Sequence, residues 1–207
     1  MNTTLKGKVA LVTGGSRNVG RETALSLGKM GADVVVTYVR NQSGAMSTVQ
    51  ELTSQGVRAE AIQVNLTGTS ELNVFVSNFK GVLSKWGRSD FDILVNNAGI
   101  IKLGTFDKVT EEELDALYQI NYKSVFFLTQ QLMGNIADGG RIINIGSGTA
   151  GIAFAPLIGY GPIKAAIQSL TLYLASFLGE RGITYSRIPL RRKTTRGRSS
   201  TPSLLVV

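Results

Sequence analysis

Residues 8–20 read KVALVTGGSRNVG, and this stretch decides the fold. Its first half, residues 8–13, is a short apolar run that predicts a strand buried on both faces. Its second half is rich in glycine and leads into residues 18–30, where apolar residues recur with helical spacing. Glycines in such a turn let the backbone approach a pyrophosphate, and the helix start offers free N–H groups and a positive dipole end. The stretch therefore predicts a nucleotide-binding strand, turn and helix.

Strand and helix patterns alternate along the rest of the chain. Runs rich in apolar and β-branched residues predict strands, and stretches with helical spacing predict helices. Further strands are predicted at residues 32–39, 57–64, 91–95, 141–145 and 183–188, and further helices at residues 43–54, 69–86, 110–133 and 157–181. Because the strands are almost wholly apolar, we expect a parallel sheet covered on both sides. The sequence predicts an α/β fold, a doubly wound, mostly parallel sheet of Rossmann type with helices on both faces.

Polar and glycine residues follow three of the predicted strands. Thr13-Gly14, Asn96-Asn97 and Gly146-Ser147 each stand where a strand ends. Ligands of doubly wound sheets bind outside the carboxyl ends of the strands. We therefore expect these three segments to meet at one binding site.

The composition excludes several kinds of chemistry. The chain has 207 residues, of which 43% are hydrophobic, and it contains no histidine and no cysteine. Catalysis by Ser-His-Asp or Cys-His, zinc sites with His or Cys ligands and disulfides are therefore excluded, and we expect no metal centre. No apolar run approaches the ~20 residues of a membrane span, so we expect a soluble, cytoplasmic protein with no membrane partner.

The net charge of +8 belongs to one end of the chain. Six basic residues and no acidic residue occur from residue 183 onward, whereas the rest holds 16 basic and 14 acidic residues. We therefore expect no nucleic-acid partner. Residues 1–188 are interpreted as one dinucleotide-binding domain with a built-in active site, and residues 189–207 as a basic, disordered tail.

The glycine-rich turn resembles that of the short-chain dehydrogenase/reductase family, which reads Thr-Gly-x-x-x-Gly-x-Gly. Gly14 and Gly20 match, and Asn18 replaces the middle glycine. Asparagine tolerates left-handed backbone better than most residues, so we expect the turn to survive. The resemblance implies that this turn binds the cofactor through Gly14, Ser16, Arg17, Asn18, Val19 and Gly20.

Three further segments carry the same resemblance, which extends over residues 5–188. Asn97, Ala98 and Gly99 belong to an Asn-Asn-Ala-Gly motif that lines the cofactor in the family. The family places a catalytic asparagine, serine, tyrosine and lysine at the positions of Asn121, Ser147, Tyr160 and Lys164. The family's lysine also holds the nicotinamide ribose, and its helix asparagine anchors a water that relays protons. The tyrosine and lysine are thus also cofactor contacts.

The spacing of these residues is chemically sensible. Tyr160 and Lys164 are four residues apart, so on a helix they share one face. A phenol has a pKa near ~10, and we expect the nearby ammonium to lower that pKa. Ser147 can hold a substrate oxygen against the Tyr160 hydroxyl. Singly, each of these residues also has an ordinary structural explanation, but together they predict an active site.

The choice of nicotinamide cofactor depends on charge near the second strand. An NAD site usually has a carboxylate at the end of that strand, whereas Asp33 stands at its beginning. Arg17 and Arg40 could clasp the 2′-phosphate of NADP(H), although two arginines can also be plain surface charges. Asn65 and Leu66 follow the third strand, where relatives contact adenine. We therefore predict NADP(H) as the cofactor.

Two function hypotheses follow. The first is an oxidoreductase that transfers a hydride between NADP(H) and a ketone or secondary alcohol, with Tyr160 as proton donor or acceptor. The second is a catalytically weak or inactive truncated nucleotide-binding protein, because the family's last strand and substrate lid have no counterpart after residue 188. Family members pair through two long helices, so we expect a homodimer through the helices at residues 110–133 and 157–181.

Overall fold

The computed structural model of the chain describes residues 4–188. Within them, six strands form one sheet in the order β3-β2-β1-β4-β5-β6, and all neighbouring strands are parallel. The strands are β1 (Val9–Val12), β2 (Asp33–Tyr38), β3 (Ala59–Gln63), β4 (Phe91–Asn96), β5 (Ile136–Ile145) and β6 (Thr184–Ile188). The predicted doubly wound parallel sheet is confirmed. The expected tail at residues 189–207 lies outside the described residues. The expectation that the family's last strand and substrate lid have no counterpart after residue 188 concerns the same residues.

Six α-helices connect these strands or follow them. They are α1 (Asn18–Lys29), α2 (Gln42–Ser54), α3 (Thr69–Lys85), α4 (Glu111–Tyr118), α5 (Ser124–Leu132) and α6 (Tyr160–Leu178). The prediction of one uninterrupted helix at residues 110–133 is wrong, because a π-helical turn, Gln119–Lys123, separates α4 from α5. Thr110 and Glu113 form a reciprocal capping box at the start of α4, as the acidic first turn indicates.

Strand β5 begins five residues earlier than predicted. The segment before Arg141 has two glycines and an aspartate, which are poor strand formers, so its sequence gave no strand signal. In the structure it extends along β4, with a shift in register between Phe91 and Ile93. Pairing with a neighbouring buried strand thus overrides the local preference.

Apolar side chains cover both faces of the sheet. On one face Phe75 and Phe79 of α3 pack against Phe91, and on the other face Ala24 and Leu52 of α1 and α2 pack against β1 and β2. All four residues of β1 are fully buried. This two-sided burial explains why the central strands are continuous apolar runs rather than alternating ones.

The order of the strands reverses at β1, which lies between β2 and β4. The connections after β1 and β4 therefore leave the sheet in opposite directions and open a cleft at its carboxyl edge. No helix within residues 4–188 is long and apolar enough to cross a membrane.

Candidate active site

A cleft of about 700 Å³ opens at the carboxyl ends of β1, β2, β3 and β4, within the ~300–1,000 Å³ usual for ligand sites. Most of the cofactor residues that the sequence predicts line it: Gly14, Ser16, Arg17, Val19, Gly20, Arg40, Asn65, Leu66, Asn97, Ala98 and Gly99. Asn18, Tyr160 and Lys164 are not among the lining residues. Sequence reasoning missed Tyr38, Val39, Asn41, Thr67, Ile100 and Ile120. Most of these stand within a few residues of a strand end, which is the signal that could have found them.

The glycine-rich turn depends on left-handed backbone at two positions. Gly14 has φ +70°, and Asn18 has φ +49°, the only positive φ of a non-glycine residue within residues 4–188. The prediction that Asn18 preserves the turn is thus consistent with the observed backbone. At Gly20 a Cβ atom would overlap the carbonyl oxygen of Gly14 and the side-chain amide of Asn97. Only glycine permits this close approach of α1 to the end of β1.

The start of α1 suits an anionic group. Its N-cap, Arg17, makes no side-chain capping bond, and its first turn contains no acid. The backbone donors and the positive dipole end of a helix attract phosphate. With Ser16 and Arg17 lining the cleft beside this helix start, the residues present fit the pyrophosphate of a dinucleotide.

The charges at the end of β2 are basic. Arg17 and Arg40 are exposed at the cleft, and neither forms an ion pair with any residue between 4 and 188. Asp33 instead holds the opposite end of β2, where its carboxylate accepts hydrogen bonds from the backbone N–H, Nε and Nη2 of Arg58. Asp33 is therefore a structural residue and lies at the wrong end of the strand to contact a ribose.

A threonine and an asparagine join the ends of β1 and β4. The backbone N–H groups of Asn97 and Ala98 both donate to Thr13 Oγ1, each at 2.9 Å. Asn97 Nδ2 donates to the carbonyl oxygens of Thr13 and Gly14 at 2.8 and 3.2 Å. These four bonds hold the Asn-Asn-Ala-Gly segment against the glycine-rich turn, so both walls of the cleft move as one unit.

Asn121 lies in the π turn between α4 and α5 and is almost fully buried. Its Oδ1 accepts from the N–H of Ile100 at 3.2 Å, and its Nδ2 donates to the carbonyl oxygens of Ile100 and Leu117, each at 2.9 Å. The side chain therefore locks the strand-following loop onto the helix.

Ser147 and Tyr160 come together through hydroxyl groups. Ser147 follows β5, and Tyr160 begins α6 with a relative exposure of only 6%. Burial raises the pKa of Tyr160, and a hydrogen bond with the Ser147 side chain opposes that rise. The pair is thus placed as the sequence predicts, at the carboxyl edge of the sheet.

Lys164 lies one turn after Tyr160, with its Nζ 5.8 Å from the centroid of the tyrosine ring. The Nζ donates to the carbonyl oxygen of Ile145 at 2.7 Å, and burial lowers the pKa of the lysine to about 8. The net shift of the Tyr160 pKa is thus opposite to the lowering expected from this ammonium. Desolvation is the largest cause of the Tyr160 shift, and it acts in the opposite direction.

A profile of the family described as short chain dehydrogenase matches residues 8–196 of the sequence. The chain belongs to the short-chain dehydrogenase family. Among curated proteins, this family member is 36% identical over 185 residues to a short-chain dehydrogenase/reductase of Pestalotiopsis microspora, covering 89% of the chain and 68% of that protein. It is 34% identical over 185 residues to trihydroxynaphthalene reductase PfmaI of Pestalotiopsis fici, covering 89% of the chain and 64% of that protein. It therefore spans about two thirds of these relatives.

Solved structures agree with this short-chain dehydrogenase assignment. Landomycin C-6 ketoreductase LanV with bound NADP and rabelomycin has a TM-score of 0.85 and 36% identity, over 88% of this chain and 75% of that one. The reductase LugOII, which catalyses a keto-reduction at C1 in lugdunomycin biosynthesis, has a TM-score of 0.86 and 38% identity, over 91% and 83% of the two chains. The family and fold inferred from the sequence motifs are both confirmed.

Proposed function

We propose that this protein is an NADP(H)-dependent ketoreductase that interconverts a ketone and a secondary alcohol. The observation that carries the proposal is the grouping of Ser147, buried Tyr160 and Lys164: Ser147 lowers the pKa of Tyr160, and Lys164 lies beside the tyrosine ring. This group follows β5 on the same carboxyl edge of the sheet where the dinucleotide cleft opens. Two hydroxyl donors at that edge are what a carbonyl oxygen needs as it becomes an alkoxide.

Tyr160 is the proton donor in this mechanism. Its raised pKa keeps the phenol protonated at neutral pH, so it has a proton to transfer to the developing alkoxide. Bound NADPH would supply the hydride that reduces the carbonyl carbon. Ser147 donates a second hydrogen bond to the same oxygen, which orients the carbonyl and stabilises its negative charge.

Lys164 acts on the tyrosine and on the ribose side of the cleft. Its ammonium lies against the Tyr160 ring and is anchored on the Ile145 carbonyl. An ammonium near a phenol favours the phenolate that remains after proton transfer. A buried ammonium also has donors to spare, because it can make three hydrogen bonds and the structure shows one. We assign those donors to the nicotinamide ribose.

Asn121 positions the loop beyond β4 in this proposal. Because its side chain bonds Ile100 and Leu117, we assign Asn121 the role of holding that loop in place. Loss of the side chain would release Ile100, which lines the cleft.

Arg17 and Arg40 select NADP(H) in this proposal. Both line the cleft near the end of β2, and no carboxylate lines the cleft there. Two guanidinium groups are suited to a phosphate, whereas a ribose hydroxyl is usually held by a carboxylate. LanV, a similar protein of known structure, contains NADP, which supports this choice.

The surroundings of Tyr160 favour an apolar ketone. Tyr160 packs in one cluster with Leu117, Leu157 and Ile163, and Ile100 and Ile101 lie against this cluster. Two similar proteins are a trihydroxynaphthalene reductase and a landomycin C-6 ketoreductase that has rabelomycin bound. We therefore propose a cyclic ketone with an apolar ring system as the substrate class.

The test is the consumption of NADPH, followed by absorbance at 340 nm, with a panel of cyclic and open-chain ketones. We expect turnover with at least one apolar cyclic ketone, such as a tetralone, and formation of the matching secondary alcohol. The second function hypothesis, an inactive nucleotide-binding protein, predicts cofactor binding without turnover of any ketone. Fluorescence titration with NADPH, run on the same preparation, separates that outcome from a protein that binds no cofactor.

A further inference from the structure

Thr149 contacts the reactive hydroxyl of Ser147 twice. Its backbone N–H donates to Ser147 Oγ at 3.2 Å, and the two side-chain oxygens lie 2.8 Å apart. Ser147 is the N-cap of a short 3₁₀ turn, Gly148–Ala150, so the backbone bond fixes where Oγ lies. We propose that Thr149 is a positioning residue that directs the single proton of Ser147 away from the turn and toward the substrate oxygen.

The number of hydrogen-bonding positions on a serine hydroxyl carries the argument. Such a group has one proton and two lone pairs. The N–H of Thr149 fills one lone pair, and the Thr149 hydroxyl fills the second if it donates. With both lone pairs filled, the Ser147 hydroxyl can only donate its proton. Within the described residues, the other group that bonds Ser147 is the Tyr160 hydroxyl.

The opposite arrangement is worse once a carbonyl binds. If Ser147 donated to Thr149, its proton would be spent within the turn and the substrate oxygen would lose one donor. Within the described part of the chain, Ser147 is the only partner of the Thr149 hydroxyl, so no protein group there would accept the Thr149 proton. A bound carbonyl therefore favours the arrangement in which Thr149 donates and Ser147 faces the substrate.

The turn that carries Thr149 is tightly placed against α6. A Cβ atom on Gly161, the residue after Tyr160, would come within 3.1 Å of the Thr149 carbonyl oxygen. The absence of a side chain at Gly161 thus lets the 3₁₀ turn and the start of α6 lie in contact. Thr149 is thus held next to the start of α6, where Tyr160 lies.

The inference rests on the proposed ketone reduction, because it assigns Ser147 the role of a donor to the substrate. Two donors on Ser147 Oγ also polarise its O–H bond, since hydrogen bonds in a chain strengthen one another. The Ser147 proton would then become a better donor as negative charge develops on the substrate oxygen. No proton leaves Thr149 or Ser147 during the reaction.

Thr149→Val tests the role of the hydroxyl, since valine has nearly the same shape and keeps the backbone N–H. We expect kcat to fall about three- to tenfold, which corresponds to one neutral hydrogen bond, with no change in the dissociation constant of NADPH. Thr149→Ser, which restores the hydroxyl, should recover most of the lost rate. Thr53→Val removes an exposed helix hydroxyl that bonds only Val49 and is the control for a generic effect of the substitution.

The pH dependence of alcohol oxidation adds a readout that packing alone would not move. Ser147 lowers the Tyr160 pKa by its hydrogen bond, so a misdirected Ser147 proton raises that pKa. Lys164, the ionisable group against the Tyr160 ring, is retained in every variant. We expect the rise of the oxidation rate with pH to move to higher pH in Thr149→Val and to return in Thr149→Ser. Wild-type kcat and pH profile in Thr149→Val, or an equal loss in Thr149→Ser, would overturn the inference.

A second measurement does not require turnover. Protein labelled with ¹³C at tyrosine Cζ reports the hydrogen bonding of each phenol by NMR, and Tyr160→Phe assigns the Tyr160 resonance. We expect Thr149→Val to shift that resonance and Thr149→Ser to leave it near the parent position. If the parent reduces no ketone, the proposed function fails, and the NMR shift still decides whether Thr149 orders the Ser147–Tyr160 pair. An unchanged resonance in Thr149→Val refutes the positioning role in either case.

Discussion

Tyr185, whose hydroxyl is also buried, is a matched residue against which the proposed proton donor can be tested. Tyr160 shares a hydrogen bond with Ser147, whereas the Tyr185 hydroxyl is buried without a partner among the described residues. We expect Tyr160→Phe to lower kcat by about 10²- to 10⁴-fold, the usual contribution of general acid catalysis. NADPH binding should persist, because only the proton donor is lost. Steady-state kinetics and fluorescence titration measure the two effects.

Tyr185→Phe is the control for that experiment. Removing a buried hydroxyl that has no partner should stabilise the protein by about 1 kcal/mol and leave kcat unchanged. Chemical denaturation measures the free energy of unfolding. Parent-level turnover in Tyr160→Phe, or an equal loss of turnover in both variants, would contradict the assignment of Tyr160 as the donor.

Lys164 predicts a pH dependence of stability. Burial lowers its pKa to about 8, from 10.5 for a free side chain. In the range between these values the unfolded chain binds more protons than the folded chain, so this group makes the fold more stable as pH rises. The penalty of a buried charge is fully present below pH 8 and is relieved above it.

We compare the free energy of unfolding of Lys164→Met with that of the parent. We expect this difference to favour the variant more strongly near pH 7 than at pH 9.5. The change in that difference should be on the order of 2 kcal/mol. Urea denaturation at both pH values measures it. Lys80→Met, a substitution on α3 away from the site, is the control. A difference that is the same at both pH values would show that the Lys164 pKa is not lowered in the fold.

Arg17 and Arg40 predict the cofactor preference at the same scale. We expect the parent to bind NADPH more tightly than NADH. In the double variant Arg17→Ala/Arg40→Ala, the ratio of the NADH and NADPH dissociation constants should fall at least tenfold. Charge-assisted bonds to a phosphate are the reason, since they are worth more than neutral ones. Competitive fluorescence titration gives the ratio. Equal or tighter NADH binding by the parent would defeat the argument from the two arginines.

Helices α1 and α3 offer a matched pair of glycines at the scale of an element. A side chain at Gly20 of α1 would overlap the Gly14 carbonyl, whereas a Cβ on Gly81 of α3 meets nothing within 4 Å. We expect Gly20→Ala to force α1 away from the turn and to abolish NADPH binding. Gly81→Ala should stabilise the protein by about 0.5–1 kcal/mol, because alanine favours the helix. Thermal unfolding and cofactor titration of both variants give the comparison. Tight NADPH binding by Gly20→Ala would show that the turn tolerates a wider geometry.

Helix α6 bears on the assembly of the whole molecule. The sequence predicts a homodimer through the helices at residues 110–133 and 157–181, but their apolar residues Val125, Leu128, Leu170 and Leu178 are buried within the chain. Leu172, Tyr173 and Phe177 remain 68–76% exposed on α6. Large apolar side chains that lie together on an exposed helix mark an interaction surface. We propose that α6 packs against a second copy of the chain.

Sedimentation velocity tests this proposal. We expect the parent to be a dimer and the triple variant Leu172→Ser/Tyr173→Ser/Phe177→Ser to be a monomer that still binds NADPH. Val74→Ser, which removes an exposed apolar residue on α3, should remain a dimer. A monomeric parent, or a triple variant that still pairs, would count against α6 as the interface.

The order of the elements and the cofactor turn could be read from the chain alone. Continuous apolar runs can only be strands buried on both faces, and glycine with polar residues after them must stand at the carboxyl edge. The spacing of Tyr160 and Lys164 also requires one helix face. These features are local, so the sequence itself determined them. The site at the carboxyl edge then followed from the general rule for ligands of parallel sheets.

The tertiary structure alone decided the remaining features. The π turn at Asn121 and the early start of β5 arise from contacts with distant backbone, which override local preference. The raised pKa of Tyr160 comes from burial under neighbouring elements, not from the lysine one turn away. Thr149 looks like an ordinary turn residue until its hydroxyl is placed 2.8 Å from Ser147. Desolvation and hydrogen-bond geometry depend on which segments meet in space, and no local pattern records that.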